Sequence, residues 1–173
     1  SIAVDGSGRP HISYYDRDNH DLKYARWNGS AWQIETVDTN AFERETSIAV
    51  DSNGRPHISY HGEGSLKHAF WNGTSWQTEI VDSTPVTGWE NSIALDSNNR
   101  PHISHHNFTS QDLKYARWDG IQWHNETVDS AGEVGWQTSI ALDRNGNPHI
   151  SYYDATNTNL KHAAWNGSTW QVE

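Results

Sequence analysis

The sequence contains no cysteine and no methionine. Without cysteine there is no disulfide framework and no thiolate metal site. Without methionine the chain lacks an initiator residue, so it is expected to be a processed product or an excerpt of a longer protein. Basic residues are scarce: 12 Lys and Arg stand against 22 Asp and Glu, for a formal charge of -10. Phosphate binding needs a basic footprint, so nucleic acid is not an expected partner. No apolar run approaches the about 20 residues of a membrane helix, and the N-terminus carries no signal-like segment. Membrane insertion is therefore not expected. Hydrophobic residues are only 34% and mean hydropathy is -0.89.

What the chain does have is aromatic surface. Its 10 Trp and 7 Tyr are too many for a disordered segment, and 173 residues suffice to bury a core. It also has a repeat. SIAVDGSGRPHISYYD opens at Ser1 and returns with small changes from Ser47, Ser92 and Ser139, at spacings of 46, 45 and 47 residues. A second block follows each time, LKYARWNGSAW from Leu22 and its relatives from Leu66, Leu113 and Leu160. A third, ETVD or EIVD, ends at Asp38, Asp82 and Asp129, and Glu173 stands where it would begin a fourth time.

Each unit reads as four short strands. Ile2–Asp5 alternates, and Asp5-Gly6-Ser7-Gly8 signals a tight turn. Pro10 opens a second strand over His11–Tyr15, where proline breaks no ladder. Leu22–Trp27 is the third strand and ends at Asn28-Gly29, and Trp32–Val37 is the fourth. No window has helical spacing of apolar residues, so helix is expected to be nearly absent. Four-stranded units of about 40–50 residues are propeller blades, whereas solenoids have shorter periods. The expected fold is all-β: one β-propeller domain over residues 1–173, with units 1–46, 47–91, 92–138 and an incomplete 139–173.

The apolar-Ala-apolar-Asp strand with its turn resembles NHL-type and related propeller blades. The paired tryptophans around the third turn resemble blades of bacterial and fungal propeller lectins. No WD dipeptide, kelch double glycine or full sialidase Asp-box is present.

In a blade, the inner strand is buried on both faces. Ala3, Ala49, Ala94 and Ala141 are then small because inner strands approach closely near the axis. Trp27 with Trp32, and the equivalent pairs Trp71–Trp76, Trp118–Trp123 and Trp165–Trp170, are expected to meet across a hairpin. The alternative is that they stack sugars at the blade rim. His11, His57, His102 and His149 recur and suggest a metal ring, but they lie one strand away from the axis, and a hydrogen bond to a neighbouring blade explains them equally well. Asp5, Asp51, Asp96 and Asp143 are expected to cap their own turns, since a calcium site needs about 6–8 oxygens. No metal and no cofactor are expected.

Glu35, Glu79, Glu126 and Glu173 repeat as well. Glycoside hydrolysis needs two carboxylates in different environments, and identical copies point to blade geometry instead. A non-enzymatic role is expected. Five sequons, at Asn28, Asn72, Asn107, Asn125 and Asn166, are explained first by turn chemistry.

For binding, the variable loops stand out, namely those joining the second strand to the third and one unit to the next. The residues selected there are Trp89, Trp136, Tyr15, Asp16, His61, His106, Tyr153 and Asp154, the mixture a neutral sugar site needs. The competing reading is that Trp89 and Trp136 simply plug the seam between blades. The first connector has Arg44 and Phe42 instead, so any such sites are unequal.

The chain starts at an innermost strand and stops within an outermost one, so no clasp is evident. Four blades close by side-chain packing, flanking repeats belong to a larger ring, or two chains combine; open blade faces favour self-association. The expectation is an extracellular or cell-surface recognition module with a glycan or protein partner, a carbohydrate first. The competing readings are a structural, self-assembling repeat domain and a glycosidase-like enzyme.

Overall fold

A computed structural model describes residues 1–39 and 41–173, with the side chains of residues 42–44 left out. The expectations resting on Phe42 and Arg44 therefore lie outside the described side chains. The first sheet comprises β1 (Ile2–Val4), β2 (Pro10–Asp16), β3 (Asp21–Trp27) and β4 (Trp32–Asp38). The second comprises β5 (Ala41–Val50), β6 (Pro56–Gly62), β7 (Ser65–Trp71) and β8 (Trp76–Asp82). The third comprises β9 (Thr87–Leu95), β10 (Pro101–Asn107), β11 (Asp112–Trp118) and β12 (Trp123–Asp129). The fourth comprises β13 (Val134–Leu142), β14 (Pro148–Asp154), β15 (Asn159–Trp165) and β16 (Trp170–Val172). Every pairing is antiparallel between consecutive strands, and no helix occurs among the described residues.

The turns explain the meander. Asp5 Oδ1 accepts from the backbone N–H of Ser7 at 2.8 Å and of Arg9 at 2.9 Å, and Asp51, Asp96 and Asp143 repeat the pattern. This is the expected turn capping. The second hairpin is closed by Asn28, Asn72, Asp119 and Asn166, whose side-chain oxygens accept from the two turn amides that follow.

Neighbouring sheets pack face to face. Their contact concentrates on the first strands, β5 against β9 and β9 against β13, and thins to little between β8 and β12. That divergence is radial, as in a propeller. Each of three seams has its own core. Leu22, Tyr24, Ile48, Ile58 and Tyr60 fill the first, Leu66, Val81, Ile93 and Ile103 the second, and Leu113, Tyr115, Ile140, Ile150 and Tyr152 the third. No hydrophobic cluster joins the fourth sheet to the first among the described residues, so the ring is not closed.

Two polar devices recur at the seams. The aspartate ending one sheet accepts from the next: Asp38 Oδ2 from Tyr60 at 2.6 Å and Lys67 at 2.7 Å, Asp82 Oδ2 from Lys114 at 2.7 Å, and Asp129 Oδ2 from Tyr152 at 2.6 Å and Lys161 at 2.5 Å. Near the axis, Ser13 bonds to Thr46, Ser59 to Asn91 and Thr138 to Ser104.

Two expectations need correction. The repeated histidines bond within their own sheet and not to a neighbouring blade: His11 to Tyr24, His57 to His68, His102 to Tyr115 and His149 to His162. Partners on adjacent strands two positions apart lie within reach of a ring, which makes the in-sheet bond the shorter route. In addition, Thr87-Gly88-Trp89 and Val134-Gly135-Trp136 are strand, not connector. Bulges admit the extra residues: the β9–β10 and β13–β14 ladders shift register there, with Glu90 at φ 49 and Gln137 at φ 50.

Candidate functional site

The residues singled out on the loop face all lie at strand ends, in β2, β6, β9, β10, β13 and β14. The structure brings four of them together. The His61 ring lies 5.9 Å from Trp89, and His106 lies 4.7 Å from Trp136. Phe108 bridges the two, 5.0 Å from Trp89 and 6.4 Å from Trp136. Each tryptophan comes from one sheet and its histidine from the preceding one, so both indoles lie across seams. His61 and His106 are buried, and His106 Nδ1 bonds to the Val134 carbonyl at 2.9 Å. Tyr153 is exposed and pairs in register with Trp136. Asp154 is buried, accepting from Asn157 N–H at 2.9 Å. Tyr15 and Asp16 stand apart in the first sheet, bonded locally to His20 and Asn19.

The opposite face, where the hairpin turns lie, carries one cleft at each seam. The paired tryptophans shape all three. Trp27–Trp32, Trp71–Trp76, Trp118–Trp123 and Trp165–Trp170 meet across their hairpins as expected, with centroids 5.6–5.8 Å apart. The second member of a pair reaches back to the preceding sheet. Trp76 sets its edge on Tyr24 at 5.1 Å and donates from Nε1 to Glu35 at 3.0 Å. Trp123 does the same with His68 at 5.5 Å and Glu79 at 3.1 Å. The first member is left to wall a cleft.

In the first cleft, of about 290 Å³, Tyr24, Arg26 and Glu35 from one sheet face Arg55, Pro56 and Trp71 from the next. Arg26 Nε donates to Gln33 at 3.0 Å, which holds the guanidinium over the outer strands. The third cleft, of about 400 Å³, repeats the set with Tyr115, Arg117 and Glu126 facing Asn147, Pro148 and Trp165. The middle cleft, of about 160 Å³, differs: His57, His68, Phe70 and Glu79 face Asn99, Pro101 and Trp118. Each cleft thus sets one carboxylate against the indole that ends the next sheet's third strand, and the outer two add arginine: Arg117 in the third, and Arg26 with Arg9 and Arg55 in the first.

An indole face, a fork of N–H donors and an acceptor-only carboxylate within one cleft suit a polyhydroxylated ring, apolar on one side and hydroxylated at its rim. No metal-binding group of three or more His, Asp or Glu occurs among the described residues. Glu35, Glu79 and Glu126 were noticed in the sequence as a repeat, and the tryptophans as hairpin pairs. Arg26 and Arg117 were missed. The available signal was that position's change from Arg to Phe70 and Ala164 within the repeated block.

Comparison with solved structures bears on the fold. A fucose lectin from Kordia zhangzhouensis, solved with methyl-fucoside, matches with a TM-score of 0.52 and 22% identity over 75% of this chain and 97% of its own. Aleuria aurantia lectin, solved with alpha-methyl-L-fucoside, matches with a TM-score of 0.65 and 16% identity over 99% of this chain. A polysaccharide lyase, ulvan lyase, matches with a TM-score of 0.63 and 16% identity over 99% of this chain. The likeness is one of fold. The chain spans 58% of the Aleuria lectin and 56% of the lyase. No protein-family model matches the chain, and no curated protein matches it in sequence.

Proposed function

We propose that the chain is a non-enzymatic carbohydrate-binding protein that takes one monosaccharide in each outer cleft. One observation carries this reading: the arginine, glutamate and tryptophan of Arg26, Glu35 and Trp71 recur across a different seam as Arg117, Glu126 and Trp165. Seam packing alone does not ask for the arginine, since the middle seam holds with phenylalanine. The sugar's apolar face lies on the indole, the guanidinium donates to its oxygens and the carboxylate accepts from its hydroxyls. Each cleft is lined by a single carboxylate, whereas glycoside hydrolysis uses a pair. That supports binding without turnover. A glycan-binding role of this kind supports the expectation of an extracellular or cell-surface location.

Two fold neighbours hold fucosides, so a methyl α-L-fucoside is the first ligand to titrate, followed by other methyl glycosides, with tryptophan fluorescence and calorimetry as readouts. Two sites are expected. Trp71→Ala or Arg117→Ala should each remove one, with the circular dichroism spectrum unchanged. Weak single-site affinities are expected to combine on multivalent glycans. The reading fails if no monosaccharide binds saturably, or if these substitutions leave the stoichiometry at two.

The face bearing Trp89 and Trp136 is the other place for a glycan. There the indoles are engaged with Phe108, His61 and His106, which favours seam packing. Trp89→Ala and Trp136→Ala are accordingly expected to lower stability and leave sugar stoichiometry intact. A structural, self-assembling role is the second reading, favoured by the apolar side chains exposed on the end sheets.

A further inference from the structure

The middle cleft has the frame of its neighbours without their arginines. Phe70 stands where Arg26 and Arg117 stand, one residue before the tryptophan that ends the third strand. Glu79 is retained. It accepts from His68 Nδ1 at 2.9 Å and Trp123 Nε1 at 3.1 Å, both on Oε1, and no side chain among the described residues donates to Oε2. Burial pushes its carboxyl up, but the bonds from His68 and Trp123 outweigh that and leave it below its ordinary value.

The remaining walls carry no charge: three stacked rings from the second sheet, and Asn99, Pro101 and Trp118 from the third. His57, His68 and Phe70 stack nearly parallel, with interplanar angles of 17–20° and neighbouring centroids 5.2 and 5.3 Å apart. Burial draws the His57 imidazole down to about 4 and lowers His68 too, so both are neutral near pH 7. Trp118 forms the opposite wall from the third sheet. Arg100 lies over Gly120 and is not part of the lining. The result is a small cleft walled by a stack of neutral rings on one side and Trp118 on the other, with a carboxylate and without the arginine of the sister clefts.

We propose that the middle cleft binds a compact organic cation of the quaternary or methylated ammonium class, seated between Phe70 and Trp118 with Glu79 as its counter-charge. Ring faces attract cations electrostatically. At about 160 Å³ the cleft is well below the about 300–1,000 Å³ of ordinary ligand pockets, which suits an ammonium head group better than a whole sugar. The proposal does not depend on the outer clefts binding carbohydrate.

The test titrates the full chain with choline and, at matched ionic strength, with its neutral isostere 3,3-dimethyl-1-butanol, followed by calorimetry and tryptophan fluorescence. One choline site with Kd on the order of 1 mM is expected, with the isostere at least about tenfold weaker. Phe70→Arg fills the vacant charge with the residue the sister sheets carry, so it should fold normally and abolish choline binding. Glu79→Gln should weaken it about tenfold or more. Absence of saturation overturns the proposal, as does equal binding of the isostere. Choline binding that survives Phe70→Arg overturns it as well.

Discussion

Asp82 closes the middle seam from the end of β8. It accepts from Lys114 Nζ at 2.7 Å, from His105 Nε2 at 3.4 Å and from the Thr84 hydroxyl. Burial alone would raise its pKa, but the bonds from His105, Lys114 and Thr84 prevail and hold the carboxyl well below the usual range. In Asp129 burial is likewise outweighed, there by Lys161 and Tyr152. Both folded-state values lie below the unfolded value of about 4, so this stabilisation is complete above about pH 4 and is lost as pH falls further. Asp82→Ala leaves Lys114 half-buried without its counter-charge and should cost about 3 kcal/mol in urea denaturation. Asp16→Ala, at a half-exposed site, should cost below about 1 kcal/mol. Equal losses would show that the seam aspartate is not a latch.

Glu90 acts in the opposite sense. Burial and the facing Glu45, which accepts from the Glu90 N–H at 2.6 Å, push its carboxyl up to about 7. The folded state therefore keeps a proton that the unfolded chain has released. Its stabilisation is complete below the unfolded value of 4.5 and is lost as pH rises toward about 7. Glu90→Gln should remove this dependence, raising stability at about pH 8 by on the order of 1 kcal/mol once solvent screening is allowed for. Thermal melts at about pH 4 and pH 8 decide it: an unchanged difference between the two would contradict the shared-proton account.

At the scale of elements, the first strands of the third and fourth sheets depend on one glycine each. A Cβ on Gly88 would lie 2.7 Å from Leu66 Cα, and one on Gly135 would lie 2.8 Å from Leu113 Cα. Both glycines have φ 93, in the left-handed region. Gly88→Ala therefore combines a backbone clash with an unfavourable dihedral and should cost about 2–4 kcal/mol. At Gly6 nothing lies within 4 Å of a Cβ, so Gly6→Ala should stay within about 0.5 kcal/mol. Similar losses in chemical denaturation would mean that the strand is not pressed against the preceding sheet.

Strands and turns were legible in the sequence because their causes are local. Asp5 caps amides two and four residues on, and Trp27 meets Trp32 across a short hairpin. The clefts were not, because their halves are far apart along the chain. Arg26 and Trp71 share a cleft only through the way one sheet stacks on the next, and no local pattern encodes that offset. The same gap explains the histidines. Repetition marked His11 and its equivalents as structural, but their bonds depend on which ring occupies the adjacent strand, Tyr24 in one sheet and His68 in the next. The loop-face residues read as connector because bulges at Glu90 and Gln137 interrupt the alternation that marks a strand.

At the scale of the whole molecule, the two end faces carry the two complementary sides of the repeated seam. Ile48, Ile93 and Ile140 are buried against a preceding sheet, but Ile2 at the equivalent place is 63% exposed. Trp76 and Trp123 rest on the sheet before them, whereas Trp32 is 46% exposed. At the other end, Leu22, Leu66 and Leu113 are fully buried beneath a following sheet, and Leu160 is 80% exposed. His162 with Glu173 repeats the pair, His68 with Glu79, on which Trp123 sits. The leading face therefore presents what the trailing face accepts, and both are apolar enough to favour burial over exposure. Copies of the 173-residue chain are expected to join leading face to trailing face, a heterologous contact that closes a ring or propagates. Light scattering coupled to size exclusion should give a mass above 19.6 kDa that rises with concentration. Leu160→Asp should return it to the single-chain value, and Ile121→Asp, which alters an exposed hairpin turn away from either face, should not. If the unaltered chain stays monomeric at about 100 μM, a concentration well above a micromolar Kd, the exposed faces do not mate with useful affinity.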